Sequence, residues 1–166
     1  MKTNVAIIGT GNIGCDLLAK VERNPYLTCT LFTGRNLQSD GMQFAQSRGI
    51  TCSDKSIRAI EDNPRIADIV FDATTASYHR EHSVILKNLN KYTIDLTPSK
   101  IGKMCVPLLN KWECLDVPNI NLITCGGQAT IPMIKAIFLV VFTSGFILSM
   151  FGYVAAAIFR AIGLLL

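Results

Sequence analysis

The chain begins with a short apolar run that leads directly into a glycine-rich segment. Residues 3–8 are followed by Gly9–Gly14, with the sequence GTGNIG, and then by a stretch with helical periodicity at 15–23. A G-x-G-x-x-G pattern between a strand and a helix is typical of a dinucleotide-binding βαβ unit. The alternative interpretation is a glycine-rich turn in an α/β domain that binds no ligand.

Each glycine of this motif has its own predicted role. Gly9 makes the turn, Gly11 lets the backbone approach a pyrophosphate, and Gly14 lets the helix pack on the strand. Backbone N–H groups at the start of the helix would point at the phosphates. We therefore predict cofactor contacts at Gly9, Thr10, Gly11, Asn12, Ile13 and Gly14.

The residue expected to recognise the ribose is basic rather than acidic. An acidic residue after the second strand usually holds the 2′-hydroxyl of NAD. The second strand is predicted at about residues 27–32, and Arg35 occupies the recognition position. Asp40 lies further along, where it or Ser39 would cap the next helix. Because an arginine here can accommodate a 2′-phosphate, the choice between NAD and NADP as cofactor stays open.

The rest of the first 135 residues alternates predicted strands with predicted helices. This order indicates an α/β fold with a Rossmann-type doubly wound parallel sheet. Strands are predicted at 67–72 and 92–95, and the carboxyl ends of such strands line the ligand crevice. His79 is interpreted as a helix-surface histidine rather than an acid or base. Hydroxyl residues after these strands are candidate cofactor contacts: Thr74 first, with Thr75, Ser77 and Thr97.

Cys125 stands between a predicted strand and a predicted helix. The strand is expected at 119–124, a tight turn at Gly126 and Gly127, and the helix from Ala129. A cysteine in this position faces unpaired N–H groups and the positive end of the helix dipole, which favour the nucleophilic thiolate. The alternative is a buried, unreactive cysteine.

Charge and cysteine usage exclude other classes of site. The chain of 166 residues has a net charge of +4, but its basic residues are scattered, so nucleic-acid binding has little support. The six cysteines contain no C-x-x-C pair, and neither of the two histidines lies near a cysteine in the sequence. No metal site and no disulfide framework are therefore predicted, and a reducing, cytoplasmic compartment fits best.

The last part of the chain is apolar. Residues 136–159 contain no charged side chain, and the mean hydropathy of the whole chain is +0.35. This length is enough to span a bilayer, which takes about 20 residues. The alternatives are foreign sequence from a frameshift or gene fusion, and a buried helix pair. We predict a dinucleotide-binding domain at 1–135 and an apolar tail at 136–166, with 136–159 as a hydrophobic helix that can anchor the domain to a membrane.

Several blocks of this sequence match one family. They lie at 6–14, 39–41, 70–74, 94–98 and 124–132. Together they closely resemble the acylating acetaldehyde dehydrogenases of the aromatic meta-cleavage pathways. The resemblance runs from about residue 3 to about residue 134, and the block around Cys125 is the most diagnostic.

The resemblance implies a reaction, cofactors and partners. The reaction is the CoA-dependent oxidation of acetaldehyde, or a close short-chain aldehyde, to the acyl-CoA with reduction of NAD, in the catabolism of aromatic compounds. By this analogy Cys125 is the nucleophile and carries the acyl group as a thioester, and Thr10–Ile13 contact the cofactor. The implied partners are a 4-hydroxy-2-oxoacid aldolase, which passes on its aldehyde product, and a second copy in a homodimer.

The resemblance ends near Lys135. The family continues into a second α/β domain, which supplies further cofactor contacts, acid–base groups, substrate-orienting groups and much of the dimer interface. From the 166 residues alone we therefore expect little or no steady-state turnover. The alternative function is that of a non-catalytic remnant that binds nucleotide or is tethered to a membrane.

Overall fold

Seven strands form one parallel sheet in the part of the chain described by a computed structural model, which covers residues 2–122 and 125–163. The strands are β1 Thr3–Ile8, β2 Leu27–Thr33, β3 Cys52–Ser53, β4 Ile69–Asp72, β5 Tyr92–Asp95, β6 Lys103–Met104 and β7 Asn119–Asn121. Their order in the sheet is β3-β2-β1-β4-β5-β7-β6, and every pair is parallel. The predicted doubly wound α/β fold is confirmed.

Helices connect the strands. They are α1 Asn12–Arg23, α2 Asp40–Gln46, α3 Arg58–Asp62, α4 Ala76–Asn88, α5 Pro107–Asn110 and α6 Cys125–Gly163, with short 3-10 turns at Pro64–Ile66 and Lys111–Cys114. The chain divides into two units, residues 1–128 and 129–166. The domain boundary predicted at residue 135 lies within α6.

The sheet is buried on both of its faces around β1. Ile7 packs with Leu18 of α1 and Phe32 of β2 on one face. Ile8 packs with Leu86 of α4 on the opposite face. A parallel strand covered on both sides needs apolar residues at consecutive positions, which is why residues 5–8 read as an unbroken apolar run and are all fully buried.

The register brings polar side chains together at the carboxyl edge of the sheet. Ile8 pairs with Asp72, Asp72 pairs with Asp95, and Asp95 pairs with Asn121. Strand order reverses between β1 and β4, because the chain moves outward on one side through β2 and β3 and returns to continue on the other. Ligands of open α/β sheets bind at this topological switch point.

Several local predictions are wrong. His79 is fully buried rather than on the helix surface, because α4 turns it towards the sheet and the Asp72 carboxylate. The chain from Cys125 is already helical, so Gly126 and Gly127 lie in the first turn of α6 and form no separate tight turn before Ala129. The strand expected at 119–124 is observed at Asn119–Asn121, and Ile123 and Thr124 lie outside the described residues.

The apolar tail is part of one continuous helix rather than a helix pair. The stretch Gly126–Val154 of α6 is long and apolar enough to cross a membrane, and none of its most apolar window is buried. Hydroxyl groups within it bond to the helix itself: Thr143 donates to the Leu139 carbonyl, and Ser144 donates to the Val140 carbonyl at 2.6 Å. These polar side chains therefore need no partner outside α6.

Candidate functional site

A cavity of about 240 Å³ lies at the switch point of the sheet. The loops that follow β1, β2 and β4 form most of its lining, and the first helical turns of α4 complete it. Its lining residues are Gly9, Thr10, Gly11, Gly34, Arg35, Ser56, Ala73, Thr74, Thr75 and Tyr78. The structure thus brings six of the sequence-predicted cofactor residues, at positions 9, 10, 11, 35, 74 and 75, around one space.

Two glycines of the motif are needed for backbone packing. Gly9 has a φ of +112°, which favours glycine, and a Cβ there would lie 2.5 Å from the carbonyl oxygen of Ala73. A Cβ on Gly14 would lie 1.9 Å from the carbonyl oxygen of Gly9. These contacts hold the first turn of α1 close to β1 and β4, so Gly14 packs beneath the loop and does not line the cavity.

Gly11 differs from both, because a Cβ built on it meets no atom within 4 Å. Open space beside this backbone is what a closely approaching phosphate would occupy. Gly11 is also the N-cap of α1, whose first turn has no acidic residue. The unpaired N–H groups and positive end of this helix therefore face outward with no anionic side chain to compete with a ligand.

The remaining motif residues lie beside this space. Asn12 lines an adjoining depression of about 510 Å³ together with Cys15 and Phe44. Ile13 is 54 % exposed on the first turn of α1. The backbone of Thr10 packs closely against Gly41 at the start of α2, since a Cβ on Gly41 would lie 2.0 Å from the Thr10 carbonyl oxygen. The loop is therefore rigidly packed on its inner side and open on its outer side.

Arg35 and Tyr78 form one wall of the cavity. The Arg35 guanidinium donates a hydrogen bond of 2.6 Å to the Tyr78 hydroxyl and lies 4.9 Å from the centre of its ring. The Tyr78 ring in turn stacks on His82, with ring centres 6.2 Å apart. Within the described part of the chain no carboxylate lines this cavity, in agreement with the basic residue found after β2 where an acidic one was expected.

A buried polar cluster is joined to the cavity lining through Thr74. Asp72 is fully buried at the end of β4, and its Oδ1 accepts hydrogen bonds from the amide and hydroxyl of Thr74 at 3.0 and 2.5 Å. Its Oδ2 accepts hydrogen bonds from Nδ1 of His79 and Nδ1 of His82, each at 2.8 Å. Burial alone would raise the pKa of Asp72, but the hydrogen bonds from His79, His82 and Thr74 outweigh it and hold that pKa far below its ordinary value.

The cluster extends to the next two strands. Nε2 of His79 lies 3.4 Å from Oδ2 of Asp95 and 3.2 Å from Nδ2 of Asn119. Asp95 also accepts a hydrogen bond of 2.6 Å from Asn121. Thr97, a candidate cofactor contact, donates its backbone N–H to Asp95 and is buried away from the cavity. Among the described residues no group of three His, Cys, Asp or Glu side chains is arranged to hold a metal ion.

The sequence contains a signal for this cluster. An aspartate ends a buried strand, and the following helix carries histidines at 79 and 82, three residues apart. Residues with this spacing lie on one face of a helix. Because that face packs on the strand end, both imidazoles reach one carboxylate.

Cys125 lies at the same edge of the sheet but beyond β5. It is the first residue of α6, which follows β7, and its side chain lies outside the described positions. The first turn of α6 is fixed by Gln128, whose Nε2 donates a hydrogen bond of 2.7 Å to the Cys105 carbonyl. β7 is three strands away from β1 in the sheet, so roughly 14 Å separates the two strand axes.

Comparison with known proteins identifies relatives of this chain. An acetaldehyde dehydrogenase from Pectobacterium atrosepticum is 51 % identical over 138 residues, covering 82 % of this chain and 47 % of that protein. An acetaldehyde dehydrogenase from Spirochaeta aurantia is 50 % identical over 133 residues, covering 80 % of this chain and 45 % of that protein. The chain thus spans about half the length of the curated relatives it matches, and it corresponds to their N-terminal half.

Solved structures share the fold. Aspartate semialdehyde dehydrogenase from Candida albicans, solved with NADP, superposes with a TM-score of 0.58 over 69 % of this chain and 36 % of that protein, at 12 % identity. The family described as semialdehyde dehydrogenase, NAD binding domain, matches residues 4–110. With its parallel sheet and glycine-lined cavity, the chain therefore belongs to the semialdehyde dehydrogenase NAD-binding domain family.

Proposed function

We propose that this chain is the dinucleotide-binding half of an acylating aldehyde dehydrogenase, which converts a short-chain aldehyde, NAD and CoA to the acyl-CoA and NADH. The observation that carries the proposal is the cavity at the switch point, where Gly11 leaves open space beside the N-terminus of α1. Two relatives that cover 82 % and 80 % of this chain, at 51 % and 50 % sequence identity, are acetaldehyde dehydrogenases.

The residues of the cavity fit a dinucleotide. The backbone at Gly11 and the start of α1 would bind the pyrophosphate, with Thr10, Asn12 and Ile13 beside it. Thr74 would contact the cofactor from the end of β4, and Arg35 would meet the ribose of the adenosine half from the loop after β2. When bound, NAD supplies the acceptor for the hydride that the aldehyde gives up.

Cys125 is the proposed nucleophile. Cys125 is the first residue of α6, and a cysteine at a helix N-terminus commonly has its thiolate favoured by the positive end of the helix dipole. The thiolate adds to the aldehyde carbonyl, and oxidation of the adduct leaves an acyl thioester on Cys125. The CoA thiol then takes the acyl group by thioester exchange, and the Cys125 thiolate is released for another cycle.

The matched part of the relatives leaves more than half of their length outside the comparison. We therefore expect slow or undetectable turnover from the 166 residues alone, and we expect the proposed dimer and aldolase contacts to depend on that further half. A second candidate function is nucleotide binding without turnover, which the cavity at the switch point supports.

The enzymatic proposal is tested best in a chimera. Residues 1–134 of this chain are joined to the remaining half of the Pectobacterium atrosepticum relative, and NADH formation is followed with acetaldehyde, NAD and CoA. We expect activity in the chimera, its loss in Cys125→Ser, and its retention in Cys52→Ser, a control at a half-buried cysteine outside the cavity. Activity that survives Cys125→Ser would overturn the role of this cysteine.

We also propose that α6 tethers the domain to a membrane, with the domain on the cytoplasmic side. The support is the uncharged stretch 136–159, whose described side chains up to Val154 are exposed and whose Thr143 and Ser144 hydroxyls are paired within the helix. Lipid requires polar groups to be satisfied internally in this way.

The chain should sediment with membranes and resist extraction by alkaline carbonate, and removal of 136–166 should release it. A full chain that stays in the soluble fraction as a monodisperse protein would contradict the tether.

A further inference from the structure

The Asp72 carboxylate fixes one wall of the cavity directly. Thr74 lines the cavity, and both its amide and its hydroxyl donate to Oδ1 of Asp72. Asp72 itself has no exposed surface, so it cannot touch a ligand. Any influence of this carboxylate on binding therefore passes through the side chains that it holds, and Thr74 is the one that both bonds to it and lines the cavity.

The same carboxylate reaches the second wall through His82. The His82 ring holds Oδ2 of Asp72 with its Nδ1 and stacks against Tyr78 at an interplanar angle of 24°. Tyr78 then holds the Arg35 guanidinium through its hydroxyl. One buried anion is thus connected to Thr74 directly and to Tyr78 and Arg35 through His82.

Four donors keep this anion in one orientation. The two oxygens of Asp72 accept from Thr74 on one side and from His79 and His82 on the other, so the carboxylate cannot rotate without breaking hydrogen bonds. Since an ionised carboxylate only accepts, Nδ1 of each imidazole carries a hydrogen whichever charge state the ring adopts. Other groups facing the cluster are Asp95 of β5 and Asn119 of β7, both through Nε2 of His79.

We infer that Asp72 is a positioning residue for the dinucleotide, an inference that rests on the proposed nucleotide site. Its carboxylate, held by His79 and His82, sets Thr74 and the Tyr78–Arg35 pair at the spacing that a bound nucleotide needs. His82 is the more informative of the two histidines, because it contacts both Asp72 and Tyr78 and is itself buried.

The test separates the two contacts of His82 in the purified full chain. His82→Phe keeps an aromatic ring against Tyr78 and removes the donor to Asp72, whereas His82→Asn keeps an N–H donor and removes the ring. Calorimetric titration with NAD should show roughly ten-fold weaker binding for His82→Phe, the effect of one lost hydrogen bond to a charged group. His82→Asn should recover most of the wild-type affinity. Binding to His82→Phe should also weaken further in acid, because burial raises the pKa of Asp72 when a donor is lost.

A matched control distinguishes positioning from general stability. Thr30→Val removes a hydroxyl that donates to the Val5 and Ile66 carbonyls and does not line the cavity, so it should lower the melting temperature without weakening NAD binding. If His82→Phe does not fold, Thr74→Val removes the hydroxyl that meets Asp72 and should weaken binding in the same way.

Unchanged affinity in His82→Phe or Thr74→Val, or equal weakening in Thr30→Val, would overturn the inference while leaving the nucleotide site intact. A wild-type chain that binds no NAD would overturn both the proposed site and the role of Asp72. A wild-type chain that binds NAD with the pattern described above supports both.

Discussion

The guanidinium of Arg35 and the hydroxyl of Tyr78 are joined by a hydrogen bond of 2.6 Å on the wall of the cavity proposed to bind the nucleotide. Arg35 follows β2, where an acidic residue would bind the ribose 2′-hydroxyl and repel a 2′-phosphate. Among the described lining residues there is a cation and no carboxylate, so we expect this wall to accept a phosphate as well as a hydroxyl.

Substitution of Arg35 should therefore affect the two nucleotides differently. Arg35→Ala removes the cation that would pair with a 2′-phosphate, so we expect NADP binding to weaken by roughly ten-fold and NAD binding to change much less. Isothermal titration with each nucleotide measures both affinities. Arg58→Ala, at an exposed arginine paired with Glu61, is the control and should alter neither affinity. An equal change for NAD and NADP would show that Arg35 does not read the 2′-position.

The buried Asp72 predicts a particular acid sensitivity of the fold. Its pKa lies far below the ordinary value of about 3.9, so its ionised form contributes stability that is fully present above about pH 4 and is lost as the pH falls towards the folded-state pKa. The melting temperature should therefore drop below about pH 4, and Asp72→Asn should be less stable at neutral pH but show a shallower acid dependence. Asp16→Asn, at an exposed ion pair, should behave like the wild type. A parallel pH dependence in wild type and Asp72→Asn would contradict this assignment.

Thiol reactivity should separate Cys125 from the buried cysteines. Burial raises the pKa of Cys29 to about 12, and burial together with the neighbouring Cys114 raises the pKa of Cys105 to about 11. In the folded chain at pH 8 we expect iodoacetamide to label Cys125 first and to leave Cys29 and Cys105 unlabelled until the protein unfolds. Mass spectrometry of peptides from native and unfolded samples gives the order. Early labelling of Cys29 would show that its environment is more open than the structure indicates.

The raised pKa values of Cys29 and Cys105 also predict a loss of stability in alkali. Above about pH 9 the thiols of the unfolded chain ionise while those of Cys29 and Cys105 stay protonated, so the unfolded state binds fewer protons and gains stability relative to the fold. The melting temperature should decline above about pH 9, and Cys29→Ala should reduce the steepness of that decline. A melting temperature that does not change with pH in this range would contradict the raised pKa values of Cys29 and Cys105.

The origin of the tail can be tested in the encoding DNA. The similarity to the acylating acetaldehyde dehydrogenases ends next to the Cys125 block with no Gly-, Pro- or Ser-rich spacer, as a change of reading frame would produce. We expect another frame beyond codon 135 to resume the family sequence. If the other two frames encode nothing similar, the frameshift hypothesis fails and the membrane anchor becomes the leading explanation.

Local patterns in the sequence predicted the elements that are long or strongly apolar. β1 and β5 occur at the predicted residues, because β1 is an unbroken apolar run and Tyr92–Asp95 alternates buried and half-buried side chains. β3 and β6 have two residues each, too few for any periodicity, and only their pairing with β2 and β7 defines them.

The parts of the site whose backbone geometry requires glycine were predictable from the sequence. The parts that depend on packing between elements were less predictable. A Cβ on Gly14 would clash with the Gly9 carbonyl oxygen, and both residues belong to the motif. The glycine spacing in the sequence therefore predicts this close packing. The burial of His79 depends on which face of α4 meets the sheet, and this follows from the Asp72 carboxylate on another element. No pattern within α4 alone distinguishes that histidine from one on the surface.

Titration of the full chain and its Gly11→Ala variant with NAD tests the central claim most directly. An alanine methyl at Gly11 meets no protein atom within 4 Å, so the variant should keep the wild-type melting temperature, but it fills the space proposed for the pyrophosphate. We predict measurable NAD binding by the wild type and a loss of ten-fold or more, roughly the cost of overpacking a close contact, in the variant. Gly145→Ala in α6, also in open space, should bind like the wild type. A wild type that binds no NAD, or a Gly11→Ala variant that binds it equally well, would contradict the assignment of this cavity to the dinucleotide.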